Sequence, residues 1–179
     1  MDLAARRFAE QGYHPTSVTE LVQALGVGKG VFYWYFSSKE QLFTDILREA
    51  QLDLRRRQQQ AIGDETDPVR RIELGIRASV SWFEEHRHLF TLFQFAGTQE
   101  RFRAVVHEGQ DVGIADTVQH VKDGIIEGRI RDADPLVLAH GILGVTDHLT
   151  RHFVQEGGDP ADQVADEAVA FCLQGLLAE

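Results

Sequence analysis

Val18, Leu21, Val22 and Leu25 stand at i, i+3, i+4 and i+7, a spacing that predicts one apolar face of a short α-helix over residues 17–24. Ser17, followed three residues later by Glu20, supplies a capping box that satisfies two otherwise orphaned backbone N–H groups and marks the start of that helix. Gly26 falls where the helix must end in the left-handed conformation. A second short helix is predicted over 28–35, with Phe32 and Phe36 one turn apart on its inner side. Two short helices joined by Gly26-Val27-Gly28 make a helix-turn-helix. The outward side of the second carries Lys29, Gly30, Val31, Tyr33, Trp34 and Tyr35.

Helical periodicity continues through the remainder, so the chain reads as all-α. A fourth helix begins near Ser38, with Leu42, Phe43, Ile46, Leu47, Ala50 and Leu54 as its inner stripe, and ends in the acid- and breaker-rich stretch 63–68. The next runs over 69–85, with Val69, Ile72, Ile76, Val80 and Phe83 inward. Residues 90–96 and 99–109 read as separate helices, followed by one over 112–127 that Gly128 closes. Asp134 caps and Pro135 opens a helix reaching about Gln155, whose seam is Leu138, Ile142, Val145, Leu149 and His152 or Phe153. Asp159-Pro160 repeats the start signal, and Val164, Ala168, Phe171 and Gly175 mark the last seam.

Three aromatics beside a lysine on so short a helix are costly to leave in water unless a partner covers them. Duplex DNA is one such partner. Lys29 would reach a phosphate or a guanine edge, the Tyr33 and Tyr35 hydroxyls would donate to phosphates, and Val31 or Trp34 would meet a thymine methyl. A bundle core is the plainer reading of Tyr33, Trp34 and Tyr35, but consecutive helical positions cannot all face one core. Docking of the same face onto another protein is the remaining alternative.

Phe8-Ala9-Glu10-Gln11-Gly12-Tyr13, Thr16-Ser17-Val18, Gly26-Val27-Gly28-Lys29-Gly30, Tyr33, Phe36 and Ser38-Lys39-Glu40 fall in the order and spacing of the TetR family of bacterial transcriptional regulators, which the chain therefore resembles. At motif level the likeness covers roughly the first 45 residues; beyond them it is one of helix pattern and length. It implies an N-terminal three-helix DNA-binding head, residues 1–45, joined through the fourth helix to a helical ligand-binding and dimerisation bundle, residues 46–179. Carried over position by position, Thr16 or Ser17, Tyr33, Tyr35 and Lys39 look like phosphate contacts, and Lys29, Gly30, Val31 and Trp34 like the base-reading set. Gly28 stands where relatives often have serine, which removes a side-chain cap and phosphate contact but leaves its backbone N–H. Tyr35 stands where they often have histidine. The chain also opens inside its first helix, where relatives usually carry several more residues, some basic.

The net charge of −10 first argues against nucleic acid. Its distribution answers this: residues 1–60 hold eight basic and seven acidic groups, a balance of +1, which leaves −11 for the rest. The acid belongs to the body, which the duplex would repel. The Arg55-Arg56-Arg57 run reads as a solvated helix face. No apolar run approaches membrane-spanning length and no leader opens the chain, so neither a membrane partner nor export is expected. Cys172, the lone cysteine, fits a reducing cytoplasm and reads as a buried spectator in an apolar helix.

Trp82, Phe83, Phe90, Phe93, Phe95 and Phe102 crowd one stretch and either fill a core or line an apolar pocket. With His107 as a polar anchor, Trp82, Phe83, Phe90, Phe93 and Phe102 are the candidate site for an apolar or aromatic small-molecule effector. His86, Arg87, His88 and Glu108 are further polar candidates or plain surface. His148 and His152 are i, i+4, and His86 and His88 i, i+2, but neither pair comes with a recognisable third and fourth ligand, so no metal or cofactor is expected. Leu138, Ile142, Val145 and Leu149, with Val164, Ala168 and Phe171, suit an isologous four-helix homodimer interface; the alternative is packing inside one chain. The expected function is a homodimeric repressor on a palindromic operator, released by ligand, with repression taken from the family's usual behaviour. A helical-bundle enzyme is the runner-up, against which stand the missing nucleophile elbow, phosphate loop and paired zinc motif.

Overall fold

The computed structural model describes residues 1–177. Its elements are α1 (Asp2–Gln11), α2 (Val18–Leu25), α3 (Lys29–Tyr35), α4 (Lys39–Ile62), α5 (Pro68–Glu85), α6 (Arg87–Gly97), α7 (Glu100–Ile126), α8 (Pro135–Leu149), a π-helical stretch Thr150–Gly157, and α9 (Ala161–Leu176). Among the described residues the only extended pairing is an isolated antiparallel bridge between Ile130 and Leu177. No described helix is long and apolar enough to cross a membrane.

The chain divides into two compact units, Met1–Leu52 with His86–Gly109, and Asp53–Glu85 with Gln110–Glu179. The first has a core of Ala4, Ala5 and Phe8 from α1, Leu21 and Val22 from α2, Phe32 from α3 and Leu42, Phe43, Ile46 and Leu47 from α4, completed by Leu92, Ala96, Phe102 and Val105. Aromatic edges organise it: Tyr13 lies 4.9 Å from Phe43 and 5.2 Å from Phe102, both T-shaped. The second unit packs α5 against α9 and α8 around Ile72, Ile76, Val80, Val121, Ile142, Val154, Ala168 and Cys172.

Four expectations change. Residues 99–109 and 112–127 belong to one helix, α7, rather than two. Gly109 does not break it, because a Cβ there would collide with the Gln51 side chain; glycine permits close approach of α4, and Gln51 Nε2 donates to the Val105 carbonyl at 2.9 Å. The helix opened by Asp134, whose carboxylate accepts from Leu136 N at 2.8 Å, is α-helical only to Leu149. In the wider π turns that follow, the inward position moves to Val154, while His152 and Phe153 face out. In α9 the buried stripe is Val164, Ala165, Ala168, Val169, Cys172 and Leu176, which leaves Phe171 and Gly175 on the open side, and no side chain caps its start at Pro160. Leu25, expected inward, is half exposed because the chain reverses immediately after it at Gly26.

The Arg55-Arg56-Arg57 run is half solvated yet paired. Arg55 makes two bonds to Asp116, at 2.7 and 3.0 Å, Arg56 meets Asp53 at 3.3 Å and Arg57 meets Glu85 at 2.8 Å.

Candidate nucleic-acid interface

The first helix of the motif starts as its sequence dictates. Ser17 Oγ accepts from the Glu20 amide at 3.2 Å, and the Glu20 carboxylate accepts from the Ser17 amide at 2.7 Å. Those bonds from Ser17, backbone first, hold the Glu20 carboxyl below its ordinary range. At its end Gly26 takes φ 68° and ψ 26°, its N–H donates to the Gln23 carbonyl, and Val27 N–H donates to Val22. Gly28 then caps α3 in extended conformation with no side-chain bond, as a residue lacking the serine hydroxyl must.

On α3, Phe32 turns inward to 5 % exposure and pins the helix to the unit's core. The opposite side carries Trp34 at 77 %, Tyr35 at 64 %, Tyr33 at 56 % and Val31 at 48 % exposure, with Lys29 and Gly30 also exposed. Trp34 and Tyr35 rings meet edge to face at 4.6 Å, which presents them as one amphipathic surface. Burial of Phe32 alone fixes this arrangement, since seven residues make only two turns. Leu25 and Val27 add exposed apolar surface near the turn, which the inward reading of Leu25 had not anticipated.

Two expected phosphate contacts sit differently. Thr16 is buried, and its hydroxyl donates to the Gly12 carbonyl at 2.8 Å. Lys39 reaches back across the unit and donates to the carbonyls of Tyr13 and Thr16, both at 2.9 Å, and of His14 at 3.4 Å. Its ammonium also lies 4.4 Å from the Tyr13 ring centroid. Burial first, and then the Arg101 guanidinium, push the Lys39 pKa below the usual lysine value. Arg101 covers the same ring at 5.0 Å and meets Glu40 at 3.8 Å. Nothing in the spacing of the sequence pointed to Arg101, which lies far along the chain.

The other proposed sites scatter. Trp82 and Phe83 belong to the second unit, and Phe90, Phe93, Phe102 and His107 to the first. Phe102 is fully buried in the first unit's core with Phe93 beside it, and His107 is exposed. Trp82 is buried and its indole donates to Asp53 at 2.8 Å. Of the seam residues, Leu138, Ile142, Val164 and Ala168 are buried in the chain's own core, Val145 and Leu149 pack against it, and Phe171 is 67 % exposed. The periodic pattern revealed the apolar faces but not what covers each one. His148 and His152 stack at 6.4 Å, and among the described residues no group of three or more His, Cys, Asp or Glu is placed to hold a metal.

The family profile for bacterial regulatory proteins of the tetR family matches residues 1–46, and that for the tetracyclin repressor-like C-terminal domain matches residues 65–176. The HTH-type transcriptional repressor KstR2 of Mycobacterium tuberculosis is 26 % identical over 184 residues, spanning 100 % of this chain and 92 % of its own. The HTH-type transcriptional regulator AcrR of Shigella flexneri is 31 % identical over 155 residues, 80 % of this chain and 70 % of its own. In structure, FadR of Bacillus subtilis in complex with stearoyl-CoA superposes with a TM-score of 0.88 at 21 % identity, covering 97 % of this chain and 96 % of that one, and so shares the fold. The chain therefore belongs to the TetR family of bacterial regulators, a family of DNA-binding transcriptional regulators and not of enzymes.

Proposed function

We propose that the protein is a homodimeric repressor that binds a palindromic operator through α3 and leaves it when a small apolar or aromatic ligand binds the C-terminal part. The observation that carries the reading is the exposed row Val31, Tyr33, Trp34 and Tyr35 beside Lys29, held outward by buried Phe32. In this reading Lys29, Gly30, Val31 and Trp34 meet base edges in the major groove, while Ser17, Gly28, Tyr33 and Tyr35 meet phosphates. Thr16 and Lys39 act one step back: their side chains are engaged with carbonyls of the 12–16 segment, so they hold the loop that presents Ser17.

Dimerisation gives the reading its geometry, since two heads placed about 34–36 Å apart meet successive major grooves on one face of the duplex. The supporting surface is the open side of α8 and α9, where Val137 and Phe171 are each about two-thirds exposed and Gly141, Gly144 and Gly175 permit close approach of a second backbone. In this reading the functional division falls at residue 45, with DNA binding before it and ligand binding and dimerisation after it. Helices α4 and α7 are continuous from one compact unit into the other, which gives ligand binding a covalent route to the head. Repression is supported by the likeness to KstR2, itself a repressor, and ligand response by the stearoyl-CoA complex of the FadR neighbour. Work on the bacterial chromosome would be cytoplasmic.

Selection of bound duplexes from a random pool, at two salt concentrations, tests the proposal. Enrichment of a palindrome whose affinity falls steeply with salt is the expected result. Recovery of no preferred sequence, or of a single unrepeated half-site by a monomer, would overturn it.

A further inference from the structure

Residues 12–17 lead from α1 into the first helix of the motif, and side chains hold this loop. Thr16 Oγ1 donates to the Gly12 carbonyl at 2.8 Å, and the Lys39 ammonium donates to the carbonyls of Tyr13 and Thr16 at 2.9 Å and of His14 at 3.4 Å. An ammonium has three N–H donors, so these three carbonyls occupy it fully. The Tyr13 ring seats the loop in the unit's core, with Phe43 and Phe102 edge to face and Phe95 stacked at 5.6 Å.

A cation from far along the chain meets the same ring. Arg101, in the first turn of α7, sets its guanidinium carbon 5.0 Å from the Tyr13 centroid and 5.2 Å from that of Phe102, and its Nη1 lies 3.8 Å from Glu40 Oε2. A planar, weakly hydrated guanidinium suits a place over two rings better than an ammonium does. Its two other partners flank the Lys39 clamp: Tyr13 supplies one of the carbonyls that Lys39 holds, and Glu40 follows Lys39 in the first turn of α4. Arg101, Tyr13, Lys39 and Glu40 all belong to one compact unit. The two cations also sense each other, since the Arg101 charge is the second cause, after burial, of the lowered Lys39 pKa.

We propose that Arg101 is a positioning residue for duplex binding: joined to Tyr13 and Glu40, it holds the 12–17 loop in the conformation that presents Ser17 and the start of α2 to the phosphate backbone. This rests on the DNA-reading assignment of Ser17 above and adds to it a residue outside the helix-turn-helix. Arg101 itself meets no phosphate in this account; it acts through the Tyr13 ring and the Glu40 carboxylate.

Arg101→Met keeps an apolar stem over the rings and removes the charge; Arg101→Lys keeps the charge and removes the plane. Affinity of each full-length variant for the duplex recovered by selection is measured across a series of salt concentrations, well below the thermal midpoint, and nitrogen-15 NMR follows the His14, Thr16 and Ser17 amides and the Lys39 ammonium. For Arg101→Met the expected result is binding about three- to tenfold weaker with an unchanged salt slope, shifted loop amides and a raised Lys39 pKa, with Arg101→Lys intermediate in affinity. A lowered midpoint with unchanged affinity would leave Arg101 a merely structural role and overturn the proposal. So would loop amides that do not move, or a salt slope reduced by about one, which would make Arg101 a phosphate contact itself. Failure of the wild-type protein to select any duplex would overturn the DNA reading and this proposal together, whereas a selected duplex that Arg101→Met binds equally well would overturn the positioning role alone.

Discussion

Lys39 holds Tyr13 twice, donating to its backbone carbonyl at 2.9 Å while its ammonium lies 4.4 Å from the centre of its ring. The same ammonium satisfies Thr16 at 2.9 Å, so one side chain at the start of α4 closes the loop between α1 and α2. Lys39→Met would leave these carbonyls without their donor, and the expected loss is about 1–3 kcal/mol of head stability. Chemical denaturation followed by far-ultraviolet dichroism checks this. An unmoved midpoint combined with weakened duplex binding would instead assign Lys39 to a phosphate.

Acid sensitivity of the second unit should centre on Glu73. Desolvation would raise its pKa, but hydrogen bonds from Arg70 and Arg77 outweigh that and hold it below 4.5. A carboxyl lowered in the folded state stabilises above its unfolded pKa, and that contribution is lost as pH falls through the folded value. Glu73→Gln should therefore reduce stability at pH 7 and flatten its decline below pH 4.5. Parallel stability curves for the two proteins between pH 7 and pH 3 would contradict the assignment.

Gly124 lies under Ile130: a Cβ there would stand 2.5 Å from Ile130 Cδ1 and 2.7 Å from Cγ1. Ile130 cannot easily yield, since it is buried and its amide bonds to the Gly124 carbonyl at 3.0 Å. Gly124→Ala should cost about 1–3 kcal/mol through overpacking, against roughly 1 kcal/mol gained in helix propensity. Adding Ile130→Val should recover part of the loss. A more stable Gly124→Ala protein would show that the close approach is not a constraint.

These positions show what was legible in the chain and what was not. The start and stop of α2 and the start of α8 were readable, because a serine with its glutamate, an αL glycine, or an aspartate before proline satisfies specific backbone groups in any context. The outward face of α3 was readable because one inward phenylalanine on a two-turn helix determines the other side. Gly109 misled, since a glycine that ends a helix and one that admits a neighbouring side chain look the same in sequence. The seams of α8 and α9 showed apolar faces without naming their partner, and the structure turns Leu138, Ile142, Val164 and Ala168 into the chain's own core while leaving Phe171 outside.

Cys172 should be inert in the folded protein. Burial raises its thiol pKa from 9.0 to about 11, which lowers the thiolate fraction about a hundredfold, and its sulfur is enclosed by α9 and its neighbours. Ellman's reagent should react slowly at pH 8 and rapidly once denaturant unfolds the chain. Fast reaction under native conditions would mean that α9 opens readily.

The two tryptophans allow the most direct test of DNA reading by α3, because Trp34 is 77 % exposed and Trp82 is 1 % exposed. Acrylamide quenching of the native protein reports Trp34, and Trp34→Phe supplies the background from Trp82. With the duplex recovered by selection, the account predicts that quenching of Trp34 falls to near the Trp82 background at saturation. Tight binding of that duplex with Trp34 still fully open to acrylamide would contradict it.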